Sequence, residues 1–297
     1  DDTRIQLNSA GKTVWTKGDL VSVFYRSNAN QKWQFQGETG ERTGLLKRVS
    51  TPEATITLSD VVVAYPYSEE YYINPKTCNL QAYLPATQSY LKDSFGLDGN
   101  LMVSASEYNQ IYLKNVCGWL KLQLTGSGEL VQSITLKGNN GEQVAGSIYV
   151  DTETATATLA AETNGGYEDG VGGTLVFDDA ILTEITLNCG NGVELGAEAT
   201  AFYIALPPQT FEKGLTVEIE STEGKIMTKS TENSIAIERN TIQPMASVAY
   251  NGIFKPANNE IYYTNGSTTK ATTTYKTNVF GANIVSNLYD EEKKCWV

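Results

Sequence analysis

A chain of 297 residues, 40% hydrophobic and 19% charged, has enough apolar material for two ordinary domains and a balance unlike that of a disordered chain. Its net charge of −12, from 34 acids against 22 Lys and Arg, excludes the usual nucleic-acid-binding surface, which needs clustered cations to neutralise phosphate. Histidine is absent, which removes Ser-His-Asp and Cys-His catalysis and His-ligated metals, and no apolar run is long enough to span a bilayer.

With 17 tyrosines, recurrent Thr and Val, 26 glycines and no sustained helical period, the chain is expected to be mostly β. Thr3 to Leu7 alternates, with Ile5 and Leu7 inward, as a short strand near a terminus. Gly11-Lys12-Thr13 is a turn and not a phosphate loop, since Gln6 stands where the first glycine of that motif is needed. Leu20 to Tyr25 places Val21, Val23 and Tyr25 on one strand face. Trp33 to Phe35 and Thr55 to Leu58 are further strands. Val61 to Tyr65 is a continuous apolar run ended by Pro66, suited to a strand buried on both faces.

Ser68 to Pro75 follows as an aromatic loop or short hairpin. Tyr71 and Tyr72 there are either a contact platform for a sugar or protein partner or a tyrosine-rich edge of the domain itself. Asp98-Gly99-Asn100 turns the chain into Leu101-Met102-Val103, which closes the first domain, with the boundary near Glu107 and Ile111 opening the second. Val116 to Ser147 then carries three strand signals separated by two turns. Leu120, Leu122 and Leu124 alternate with Trp119, Lys121 and Gln123, and Thr125 to Gly128 is the first turn. Gly138-Asn139-Asn140-Gly141 predicts a hairpin whose return strand holds Val144, Gly146, Ile148 and Val150. Ala155 to Leu159, Leu175 to Phe177, Ile185 to Leu187, Val193 to Leu195, Phe202 to Leu206 and Leu215 to Ile219 continue the strand pattern, whose spacing favours a sandwich.

Chemistry-bearing residues are sparse. Cys78, Cys117, Cys189 and Cys295 are too far apart for a close metal or redox pair; paired disulfides stay open, while Cys117 and Cys189 read as small buried apolar residues. The neighbouring acids Glu69-Glu70 and Asp178-Asp179 point to opposite strand faces and read as solvated charge, not as a glycosidase pair. Calcium at an acidic loop stays open, although no EF-hand spacing occurs. No catalytic residue, cofactor or metal site is expected.

Trp15 to Asp19, Ala64 to Tyr67, Tyr83 to Tyr90, Lys114 to Leu122 with Ser133 to Gly141, Tyr203 to Gln209, and Glu238 to Met245 form a set of phrases. Together they resemble the fimbrillin family, the pilus and surface-adhesin lipoproteins of Gram-negative oral and gut anaerobes. The resemblance implies an all-β chain of two antiparallel Greek-key (transthyretin-like) β-sandwich domains in tandem, residues 1–107 and 108–254, plus a short C-terminal β-rich segment, 255–297. That last segment resembles the lead-in to leucine-rich repeats of the BspA type, with Ile261, Val279, Phe280, Ile284 and Trp296 awaiting cover by later repeats.

It further implies a non-enzymatic cell-surface adhesion protein, a fimbrial subunit or a tip or stand-alone adhesin. Such a protein is exported, held at the outer membrane by a lipid anchor upstream of Asp1, and partnered by other fimbrial subunits or a surface receptor. The alternative is a carbohydrate-binding surface module. In the family, cleavage after an arginine can free the first strand for exchange between subunits; Arg4 is the matching site and Ile5 and Leu7 the exchanged strand, the other reading being a fixed N-terminal strand.

Overall fold

The computed structural model describes residues 6–7, 13–50, 53, 57–96, 99–159, 182–254, 260–264, 272–276, 289–290 and 295–296. Every regular element among them is a strand. Two compact units divide the chain, residues 1–252 and 253–297.

Within the larger unit, a six-stranded sheet runs in the order β11 (Lys114–Asn115), β10 (Met102–Ser106), β6 (Thr57–Tyr65), β3 (Leu20–Ser27), β4 (Gln31–Phe35) and β5 (Leu46–Arg48). A four-stranded sheet of β15 (Thr156–Leu159), β14 (Gly146–Asp151), β8 (Leu80–Leu84) and β7 (Tyr72–Ile73) packs against it. Their shared core joins Phe24, Val62, Ala64 and Val103 from the first sheet to Ile73, Leu80, Leu84, Ile148 and Val150 from the second. Adjoining this sandwich, β2 (Thr13–Val14) pairs with β1 (Gln6–Leu7).

The second core lies between two other sheets. One runs through β20 (Lys225–Ser230), β19 (Leu215–Ser221), β13 (Leu130–Gly138), β16 (Glu184–Glu194) and β9 (Thr87–Ser89). The other consists of β17 (Thr200–Leu206), β12 (Gly118–Thr125) and β22 (Ile242–Pro244), with β23 (Val248–Ala249) also on β12. Leu120, Leu122, Leu124, Phe202 and Ile204 meet Ile134, Leu136, Ile185, Leu187, Val217 and Ile219 there. A two-stranded ribbon of β18 (Gln209–Phe211) and β21 (Ile235–Ile237) adds Phe211, Ile235 and Ile237.

The smaller unit contains β24 (Ile253–Phe254), an antiparallel pair of β25 (Glu260–Thr264) and β26 (Thr272–Lys276), and another of β27 (Tyr289–Asp290) and β28 (Cys295–Trp296). Ile261 and Trp296 fall on these strands; Val279, Phe280 and Ile284 lie outside the described residues, as do Leu175 to Phe177.

Two expectations are corrected. Residues 116–151 do form three strands, but no two of them pair: β12 bonds to β17, β22 and β23, β13 to β16 and β19, and β14 to β8 and β15. No hairpin therefore joins β13 to β14, even though Gly141 takes the positive φ expected of its turn. Hydrophobic alternation fixes which side of a strand is buried and leaves its partner open, so β14 satisfies its backbone on a strand some sixty to seventy residues upstream as readily as on its neighbour. The sheets are mainly antiparallel, as expected of the sandwich, with β22 and β23 running parallel to β12 and β9 parallel to β16. The halves interleave through these pairings: β9 sits in the second sandwich and β14 with β15 in the first, so a cut at residue 107 separates strands that the sheets join.

Interleaving makes β12 a shared wall. Leu120, Leu122 and Leu124 face the second core, while Trp119 and the preceding Val116 and Cys117 enter the first. Cys117 is buried, as its surroundings suggested; Trp119, on the parity read as the outer one, is buried as well.

Candidate functional site

Neither tyrosine of the Ser68 to Pro75 segment is exposed. Tyr71 is 9% exposed and packs in the first core, where burial, then the nearby Cys117 thiol, pushes its phenol up. Tyr72 is half-buried in β7, opposite Gln81. Edge pairing of β7 with β8 turns this segment inward, which tyrosine content alone does not reveal. Glu69 and Glu70 stay at the surface, Glu69 being 3.8 Å from the Lys32 ammonium. Leu7 lies opposite Thr13 in the β1–β2 pair; Arg4, Ile5, Asp178 and Asp179 lie outside the described residues. Cys78, Cys117 and Cys189 are free thiols, and burial pushes Cys117 and Cys189 up to about 12. Among the described residues no three metal-ligating side chains cluster.

An exposed aromatic surface is found elsewhere, on the outer face of the six-stranded sheet. Alternation along β3 and β6 sends Phe24, Val62 and Ala64 to the inner core and Val21, Val23, Val61, Val63 and Tyr65 to the opposite side. With Met102 they form a second apolar layer, covered by Trp15, Trp33, Leu46, Ile111 and Leu113. Trp15 is held there by stacking on Phe35 at 4.9 Å and by an edge contact with Tyr65 at 6.0 Å.

At one end of this face the cover is aromatic and partly open. Tyr25 and Trp33 stack at 6.0 Å with their planes 18° apart, and the Trp33 indole N–H donates to Gln31 Oε1 at 3.1 Å. Residues 107–113 come over the same face from β10. The Tyr25 hydroxyl donates to Asn109 Oδ1 at 3.0 Å, Arg26 Nη2 donates to the Glu107 carbonyl at 2.7 Å, and the Tyr112 amide donates to Ser104 Oγ at 3.2 Å. Gln110 Nε2 donates to the Tyr112 hydroxyl at 2.8 Å. Sheet register puts Ser106 and Tyr25 on one row, each paired with Val61, so the loop and the stack are neighbours. Tyr25 is 37% exposed, Tyr112 70% and Tyr108 73%.

Arg26 occupies a bulge between Tyr25 and Ser27 and has φ of +49°, left-handed backbone that is uncommon for a non-glycine residue. Sequence reasoning missed this surface because Glu107 to Tyr112 fell at the expected domain boundary. Alternation groups Tyr25 with Val21 and Val23 on one face and gives no sign that this face lies outside the main core.

No protein-family profile matches the chain, and no curated protein matches it. Among solved structures it is similar to a "putative cell adhesion protein" from Bacteroides ovatus, with 13% identity, TM-score 0.47, and 93% of this chain and 92% of that one covered. Proteins of the same description from Bacteroides uniformis (13% identity, TM-score 0.44, 80% and 89% covered) and Bacteroides fragilis (8%, 0.39, 95% and 92%) are also similar. Likeness at this level leaves function to be argued from the residues.

The turn that carries Trp15 also holds a buried acid. Asp19 is fully buried; its Oδ2 accepts from the Thr16 amide at 2.8 Å, while Oδ1 has no partner. Burial raises its pKa to about 6, against the opposing pull of the Thr16 hydrogen bond. A folded-state value above the unfolded value of 3.8 means that folding takes up a proton, so stability is greatest in acid and falls as pH rises from about 4 to 6. Asp19→Asn keeps an acceptor for Thr16 and carries no charge. It is expected to raise stability by up to about 3 kcal/mol at pH 7.5, shrinking to little below pH 4. Thermal melts at both pH values check this, and an equal gain at each would refute it.

Proposed function

We propose that this chain is a cell-surface adhesion protein: exported, lipid-anchored upstream of Asp1 at the outer membrane, non-enzymatic, and either a fimbrial subunit or a tip or stand-alone adhesin. Its partners are other fimbrial subunits or a receptor on a host or bacterial surface. The observation that carries the reading is the aromatic end of the outer sheet face. There Tyr25, Trp33, Tyr108 and Tyr112 stand partly or largely exposed on a backbone fixed by the six-stranded sheet and by the 107–113 cover. Aromatic side chains on a rigid base supply contact area at little entropic cost, which suits a binding surface. The fimbrillin-like phrases support the same role, and the lack of any histidine supports a binding rather than a catalytic protein. Beads coated with the purified chain are expected to be retained on epithelial or bacterial cell layers well above albumin-coated beads. Retention equal to the albumin control would reject the adhesion role.

A further inference from the structure

The aromatic end of the outer face has a composition that narrows its ligand. Several of its rings are ordered in advance: Tyr25 is fixed by its stack on Trp33 and its bond to Asn109, and Tyr112 by its amide on Ser104 and its hydroxyl on Gln110. Side chains already immobilised lose little freedom on binding. Interleaved with the rings are the neutral amides Asn109 and Gln110 and the Arg26 guanidinium, all exposed. A purely apolar partner would strip water from those amides without replacing its hydrogen bonds, and a bare anion would leave the ring faces unused. A pyranose uses both, setting its C–H face on a ring while its hydroxyls bond to amide and guanidinium groups.

Backbone strain also falls at this place, at one of five positive-φ non-glycine residues among those described. The left-handed Arg26 sits immediately beside Tyr25, and its guanidinium reaches the Glu107 carbonyl, so the strained residue is also the clasp that holds residues 107–113 against the sheet. Strain of this kind collects at functional sites, where the surrounding structure maintains it.

We propose that Tyr25, Trp33, Tyr108 and Tyr112, rimmed by Arg26, Asn109 and Gln110, form a binding platform for a pyranose-containing glycan. This rests on the adhesion role above and names its ligand class. The test uses the full chain and two variants: Tyr108→Ala/Tyr112→Ala, which removes only exposed rings, and Arg26→Gly, which suits the left-handed backbone but loses the clasp. Each is first checked for an unchanged thermal melt, with any variant that melts early set aside in favour of Tyr108→Ala alone. Probes are an array of mammalian N- and O-glycans with plant and yeast hexasaccharides, followed by titration of any bound glycan against tryptophan fluorescence.

The wild-type chain is expected to bind at least one pyranose glycan, the double variant to bind about ten-fold or more weakly, and Arg26→Gly to weaken as well. Trp33→Phe should abolish the fluorescence change. No bound glycan, or a bound glycan indifferent to the double variant, overturns the platform. Coated beads separate the two ideas. Retention lost after periodate oxidation of the cell-surface sugars supports the platform, retention unchanged by it rejects the platform and keeps adhesion, and no retention at all rejects adhesion itself.

Discussion

Trp119→Ala is expected to cost about 3–5 kcal/mol, the range for removing a large, fully packed aromatic side chain. Trp119 is 3% exposed, stacks on Phe95 at 4.5 Å with planes 11° apart, and donates from Nε1 to the Gly99 carbonyl at 3.1 Å. Its position on β12 makes the loss larger than that of one core residue. The same strand lines the second core with Leu120, Leu122 and Leu124, so a gap on the Trp119 side loosens the wall that both cores share. Trp119→Phe keeps the stack and leaves the Gly99 carbonyl unpaired, and is expected to cost about 1–3 kcal/mol. Urea unfolding of both variants checks the ranking; equal midpoints for the two would show that the hydrogen bond, not the packing, carries the effect.

The second large effect is expected at Gln88, 3% exposed on β9. Its Nε2 donates to the Ala205 carbonyl at 2.8 Å and its Oε1 accepts from the Ala205 amide at 2.9 Å, so one side chain serves the backbone of β17 as a neighbouring strand would. Gln88→Leu leaves a buried donor and acceptor together, at a cost of about 2–5 kcal/mol. Gln88→Glu gives a signed control. Its carboxylate can still accept from the Ala205 amide but faces the Ala205 carbonyl with a second oxygen, whereas the protonated acid restores a donor there. That variant should therefore be destabilised at neutral pH and recover as pH falls. Chemical denaturation at pH 7.5 and 4.5 measures it, and a deficit independent of pH would place the cost in packing instead.

The sequence shows strand positions well and strand partners poorly, and particular residues say why. Leu215, Val217 and Ile219 alternate with Thr216, Glu218 and Glu220, and β19 buries the first set as alternation requires. Val61 to Tyr65 is buried on both faces, as a continuous apolar run should be. Nothing in β14, however, distinguishes β8 from β13 as its neighbour, because both offer the same backbone groups and comparable aliphatic faces. The candidate surface was hidden for a related reason. Tyr71 and Tyr25 each lie near strand-forming residues, and only the three-dimensional layering shows the first facing the inner core and the second an outer layer capped by the 107–113 loop. Arg26 carries no sequence signal at all, since its left-handed backbone follows from a bulge forced by the β3–β6 register.

The exchange of strands between the two sandwiches also sets the order in which the molecule can be built. A chain growing from its N-terminus completes β3, β4, β6 and β10 early, yet the sheet that closes over them waits for β14 and β15, which end at residue 159. The second sandwich in turn uses β9, made some hundred residues before its partner β16. Local pairs such as β3–β4, β7–β8, β14–β15 and β19–β20 can form early, but closing either sandwich needs pairings distant in sequence, so loop closure must be met before packing repays it, and folding should be slow and concerted. Such long-range interdependence keeps the early segments pliable until the last strands of the unit have been made.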